Sequence, residues 1–144
     1  MRKALVSVIL ALLLTPAVKA QFPVEWDAIR EAYRTLYIMT DDASLPRQIV
    51  RSARSGVEIK MIIDISAAVS SNESLRTLTR QGAAIWVTDR PVSGNYVVAD
   101  REVVGDADKR VFCRDAKMAE EYIWKWRERL GYRTFLAVDP GMFK

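Results

Sequence analysis

The stretch RPVSGNYVVADREVVGDAD, residues 90–108, has the shape of an active-site hairpin. A turn leads into a strand at Tyr96–Ala99, which ends on Asp100; a second strand at Val103-Val104 runs into Gly105. Three carboxylates, Asp100, Asp106 and Asp108, could offer oxygen ligands to Ca²⁺ or Mg²⁺. Asp106-Ala107-Asp108 has only two acids and no companion Glu at calcium-loop spacing, so it reads as a solvated turn. Zinc has less to bind, because the chain has no histidine and a single cysteine, Cys113. No metal and no other cofactor is therefore expected. The absence of histidine also removes the side chain that most often moves protons near neutral pH.

The N-terminus bears on where such a hairpin would work. Arg2 and Lys3 precede an apolar run, Ala4–Leu14, that is too short to span a bilayer comfortably. Pro16 breaks the run, and Val18-Lys19-Ala20 places small residues where a signal peptidase reads. The expected organisation is a signal peptide over 1–20, a single domain over 21–135 and a C-terminal tail over 136–144. The expected location is the periplasm or the exterior, with no membrane span after cleavage.

The signal carries Arg2, Lys3 and Lys19 and no acid, so the chain beyond it holds 19 basic against 18 acidic residues. That balance gives no support to nucleic-acid binding by net charge. One cysteine excludes an internal disulfide; in an oxidising compartment Cys113 is either buried or a link between subunits, and its apolar run Val111-Phe112-Cys113 favours the buried, inert reading.

The elements that must position the hairpin follow from periodicity. Residues 26–36 read as a helix with Ile29, Tyr33 and Leu36 on one stripe, and Tyr37-Ile38-Met39 as a buried strand. Asp41-Asp42 reads as the loop into the next helix. Ser44 is placed to cap that helix, with Pro46 in its first turn, Ile49, Val50 and Ala53 inward and Gly56 past its end. Val57–Ile65 reads as a central strand. A helix capped by Ser71 or Asn72 carries Leu75 and Leu78 inward and closes at Gly82; a strand follows at Ala84–Val87. After the hairpin come a strand over Arg110–Arg114 and a long helix over Ala116–Leu130, with Ala119, Ile123, Trp126 and Leu130 on its stripe. Arg47, Arg51, Arg54, Arg76 and Arg80 fall at solvent-facing helical positions, and Trp124 falls off the stripe of the last helix as a contact residue. Strands separated by helices argue a mostly parallel mixed sheet with helices on both faces, an α/β domain.

This order, with several of its short stretches, resembles a single-motif phospholipase D-like domain, close to the small secreted nuclease of that superfamily found on bacterial conjugative plasmids. The stretches are the Ala28-Ile29…Ala32 helix, Ile49-Val50…Ala53-Arg54-Ser55-Gly56-Val57 running into a strand that ends at Asp64, Leu78…Gln81-Gly82-Ala83-Ala84-Ile85, and Ala119-Glu120-Glu121-Tyr122…Trp126-Arg127-Glu128-Arg129. The resemblance covers about residues 26–135. It implies a His-x-Lys-x4-Asp signature followed by a Gly-Ser-x-Asn turn. Here Ser93 stands in the histidine's place, Asn95 in the lysine's, and Asp100 matches the aspartate. Gly105-Asp106-Ala107-Asp108 stands near the Gly-Ser-x-Asn position, with acids for the serine and asparagine.

By resemblance, one histidine attacks phosphorus, a second protonates the leaving oxygen, and cations hold the phosphate. Ser93 has no histidine to take its proton, Asn95 is neutral, and Asp106 and Asp108 would repel a phosphate. Loss of a nucleophile or its base costs on the order of a million-fold in a well-studied hydrolase. The sequence therefore points to a pseudoenzyme: an exported binding protein, working as a homodimer or beside an intact relative, near conjugation or secretion. The rival expectation is an active phosphodiesterase or nuclease that uses Ser93, a metal or an intact partner.

Overall fold

The protein is described here by a computed structural model over residues 24–131 and 134–136. The expected signal peptide, and the expected tail beyond Leu136, lie outside the described residues. In chain order the elements are α1 (Val24–Glu31), β1 (Thr35–Thr40), α2 (Leu45–Ser52), β2 (Glu58–Asp64), α3 (Ile65–Ser70), α4 (Asn72–Arg80) and β3 (Ala84–Thr88). Then follow β4 (Tyr96–Ala99), β5 (Val103–Asp106), β6 (Val111–Arg114), α5 (Ala116–Leu130) and β7 (Thr134–Leu136). No helix among the described residues is long and apolar enough to cross a membrane.

The strands form one sheet in the order β6-β5-β4-β1-β2-β3-β7. β1–β2 and β2–β3 are parallel, each pair joined through helices as parallel neighbours require. The other pairings, β1–β4, β4–β5, β5–β6 and β3–β7, are antiparallel. The α/β class holds, but the sheet is not mostly parallel. The helical connections end at β3, and the chain then returns to the free edge of β1 and adds an antiparallel meander.

Strand alternation splits the core in two. Leu36, Ile38, Met61, Ile63, Ile85, Val87, Val97 and Ala99 face one layer, with Ala28 and Ile29 of α1, Ile49 of α2, Ala67 of α3 and Leu75 and Leu78 of α4. Tyr37, Met39, Ile62, Tyr96, Val98 and Val104 face the other, where Ala119, Tyr122, Ile123 and Trp126 of α5 close over them. Helices do cover both faces, four on one and α5 on the other. α1 lies close on the meander, and a Cβ on Gly105 would stand 2.6 Å from the Val24 carbonyl oxygen, so glycine is what lets the two meet.

Five expectations need correction. The first helix ends at Glu31 rather than running to 36, and Tyr33 is exposed. The reason is Asp100, whose carboxylate accepts from the backbone N–H groups of Tyr33, Arg34 and Thr35 (2.7–3.3 Å) and takes the amides a longer helix would use. Ile65 is not the last residue of a strand but the first of α3, because Asp64 accepts from the Ala67 N–H at 2.8 Å and caps a helix there. Val50 lies on the exposed side of α2, and Ser44 precedes α2 without capping it, its hydroxyl being given to Asp42 at 2.7 Å. Residues 134–136, which straddle the expected boundary between domain and tail and for which no element is expected, pair with β3, so the sheet reaches Leu136, one residue into the expected tail.

Candidate functional site

The hairpin brings four of the five motif-equivalent residues to one end of the sheet. Ser93, Asp106 and Asp108 line an open cleft of about 620 Å³ with Tyr96 and Lys109 of the meander and Tyr122, Lys125, Glu128 and Arg129 of α5. Asn95 stands beside it and ties three segments together. Its side-chain oxygen accepts from the Thr40 hydroxyl (3.1 Å) and the Asp41 N–H (2.8 Å), and its own N–H donates to Asp108 at 3.0 Å. The site thus sits at the carboxyl end of β1, where open α/β sheets commonly bind ligands. Asp41-Asp42 belongs to this end too, in the loop into α2 as expected, with Asp42 accepting from the Ser44 N–H at 2.9 Å.

Asp100 is the fifth, and it lies elsewhere. The strand Tyr96–Ala99 separates it from Asn95, so it falls at the opposite end of the sheet, roughly 13 Å or more along the strand. Asp100 and Arg101 have φ of 56° and 60° and form a two-residue hairpin turn of the primed kind, closed by Glu102 N–H to Ala99 C=O at 3.1 Å. Arg101 continues to Glu120 on α5 through two contacts of 2.8 and 3.0 Å. The Asp100 carboxylate holds backbone N–H groups of the α1–β1 turn rather than those of its own hairpin.

In the cleft the acids are engaged with their neighbours. Asp106 is buried; it accepts from the Tyr122 hydroxyl at 2.5 Å and from the Lys109 N–H at 3.0 Å. Tyr122 packs edge-on against Tyr96, ring centroids 4.9 Å apart. Burial raises the pKa of both phenols well above the usual range, for Tyr122 with the hydrogen bond to Asp106 second, and both stay protonated donors at neutral pH. The ammonium groups of Lys125 and Lys109 stand 5.2 and 5.8 Å from the centre of the Tyr122 ring. The Ser93 hydroxyl meets the Met39 sulfur at 3.3 Å, not a base. Arg129 donates to Thr88 at 2.5 Å and reaches the Arg90 carbonyl, bracing the loop that carries Ser93.

Sequence reading missed Tyr96, Tyr122, Lys109 and Lys125 as site residues; the aromatic pair was hidden among core positions. It also missed Glu25 on α1. Glu25 is buried, and one of its carboxylate oxygens has no hydrogen-bond partner among the described residues. Burial raises its pKa above the usual 4.5, with the charges of Asp42, Asp108 and Asp106 adding to the shift. The protonated form is therefore the one the fold favours. Its stabilisation is complete below pH 4.5 and is lost as pH rises through the folded-state value. Glu25→Gln is expected to melt with the wild type below about pH 4 and above it at pH 7 to 8. Thermal melts across that range check it; a wild type melting higher at pH 8 would contradict it.

Among the described residues no group of three or more His, Cys, Asp or Glu is disposed to hold a metal ion. Cys113 is partly rather than fully buried, with its sulfur 3.4 Å from that of Met118. Trp124 is exposed as expected, and Trp126 is in the core.

No protein-family model matches the sequence, and no curated protein matches it. Solved structures do match, and they define the class of fold. An archaeal chromatin protein, TrmBL2, whose structure shows a novel mode of DNA binding, superposes with a TM-score of 0.61 at 16% identity, over 89% of this chain and 60% of that one. The phosphatidylserine synthase of Haemophilus influenzae Rd KW20, a phospholipase D-like superfamily member, superposes with a TM-score of 0.54 at 11% identity, over 83% of this chain and 37% of that one. The chain is thus similar in fold to a phospholipase D-like protein and spans three fifths or less of these neighbours' length.

Proposed function

We propose that this chain is an exported phospholipase D-like protein that works by binding through the Ser93–Tyr122 cleft rather than by phosphoryl transfer. The observation that carries the reading is the state of the motif-equivalent side chains. Ser93 rests on a thioether, Asn95 braces the end of β1, and Asp106 is taken by the Tyr122 hydroxyl. None of them forms a nucleophile–base pair. The work is that of a partner subunit in the cell envelope, as a homodimer or beside an intact relative, and a link to conjugation or secretion follows from the resemblance alone.

A second reading keeps catalysis, and one observation favours it: Lys109 and Lys125 border the cleft that Ser93 lines and could hold a phosphodiester there. In that reading the chain is a phosphodiesterase with a non-standard site, or with one completed by an intact partner.

Sedimentation velocity of the purified protein at micromolar concentration tests the pairing. A dimer that Lys109→Glu or Lys125→Glu dissociates is the expected result. A dimer indifferent to both changes would remove the cleft from the account, and a monomer at every concentration would remove the homodimer and leave pairing with an intact relative.

A further inference from the structure

We infer a second site, on the opposite face of the sheet from the cleft: a groove between α2 and α4 that takes the phosphate group of a small ligand. Arg47 and Arg51 are four residues apart on α2, so their side chains rise from the same flank of the helix, and both are exposed. They line a groove of about 690 Å³ whose other wall carries Ser70 and Ser74. Neither arginine forms an ion pair or a hydrogen bond with any described residue, and the hydroxyls of Ser70 and Ser74 have no partner there either.

The other hydroxyls of the groove are committed. Ser71 donates to Ala67 C=O at 2.6 Å and Thr77 to Glu73 C=O at 3.2 Å. What remains is therefore a set of uncommitted donors, two of them cationic and planar, around a space large enough for a phosphate and the group it is attached to. Guanidinium groups match phosphate oxygens in pairs, and hydroxyls supply the remaining short donors. Glu73 is the one carboxylate on the lining, and it favours a compact anion seated on the arginine side over a polyanion covering the whole groove. Some other arginines are engaged by acids, as Arg101 is with Glu120 and Arg114 with Glu102 and Glu31, and Arg54, which is not, is the single arginine on its own groove. An arginine pair left without acids is what marks this groove.

The phosphate could be free or the end of a lipid headgroup, and two arms separate these. In the first, the full chain is titrated with inorganic phosphate and ¹H–¹⁵N chemical shifts are followed. Saturable shifts around Arg47, Arg51, Ser70 and Ser74 are expected, weakened at least about tenfold in an Arg47→Gln, Arg51→Gln double variant. Arg54→Gln, which leaves the groove's donors intact, is expected to change the affinity less than about twofold. In the second arm, flotation with phosphatidylcholine vesicles, with and without phosphatidic acid, shows whether a lipid phosphate is also held. Both arginines are exposed, so melts of the double variant close to wild type show that the fold is intact. No saturable shift, equal affinity in the double variant, or an equal loss in Arg54→Gln would each overturn the site.

Discussion

Trp126→Ala is expected to destabilise the protein by about 4 kcal/mol, a fall of roughly 20 °C in Tm. The side chain is 2% exposed and fills the layer between α5 and the sheet. Its ring meets Tyr37 and Trp86 edge-on, with centroids 5.1 and 5.5 Å away, and its indole N–H donates to the Ile38 carbonyl at 2.8 Å. Truncation leaves a cavity that three strands and one helix would have to collapse around, and an edge-to-face pair adds about 1 kcal/mol beyond burial. Trp126→Phe keeps most of the packing and loses the hydrogen bond, so a loss of about 1 to 2 kcal/mol is expected. Urea unfolding followed by circular dichroism measures both. A Trp126→Ala loss below about 1 kcal/mol would mean that α5 is not the lid of this layer.

Asp100→Ala should cost about 3 kcal/mol, although Asp100 is only partly buried. One carboxylate receives three successive backbone N–H groups, at 3.1 Å from Tyr33, 2.7 Å from Arg34 and 3.0 Å from Thr35. Removing it strands amides at the point where α1 hands over to β1. Alanine also sits poorly at φ 56°, which costs about 1 kcal/mol more than asparagine or glycine would. Asp100→Gly therefore isolates the acceptor: a loss of about 2 kcal/mol is expected, with Asp100→Asn, which keeps one oxygen, in between. Equal stability of the Gly variant and the wild type would show that the carboxylate is not what anchors this turn.

The same residue shows what the sequence could and could not convey. Its spacing in the motif was readable, and so was its place on a tight turn. Its partners were not, because they lie 65 to 67 residues away. That long-range contact is also why α1 is shorter than the period over 26–36 predicts: Tyr33 and Leu36 fit a helical stripe, and nothing local says that the amides of Tyr33, Arg34 and Thr35 are claimed elsewhere. Leu36 is buried all the same, in β1.

The central strands and α5 were legible, since their apolar runs are long and each has one dominant period. α3 was not, because six residues give no period and its cap is the last residue of a strand. The antiparallel return of β4 to β1 was invisible for a different reason. A hairpin's own register is set by its turn, but which sheet edge it docks on is decided by burial of Val97 and Val98 on both faces. In the site, Ser93, Asn95, Asp106 and Asp108 were brought together because one hairpin carries them all. Tyr122, Lys125 and Glu25 come from helices at distant positions, and an ordinary tyrosine on a core stripe gives no sign that its hydroxyl meets an acid.

The account rests most on the claim that the cleft binds without phosphoryl transfer. Its most direct test is turnover of DNA and of a chromogenic phosphodiester by the purified protein, in EDTA and separately in Mg²⁺, Mn²⁺ and Ca²⁺. Ser93→Ala and Asp108→Asn serve as controls, and Asp100 is left untouched because it holds the fold rather than the cleft. The account predicts the same background rate for the wild type and both variants under every condition. Turnover that exceeds background and disappears in Ser93→Ala, or that needs a divalent ion and disappears in Asp108→Asn, would contradict it.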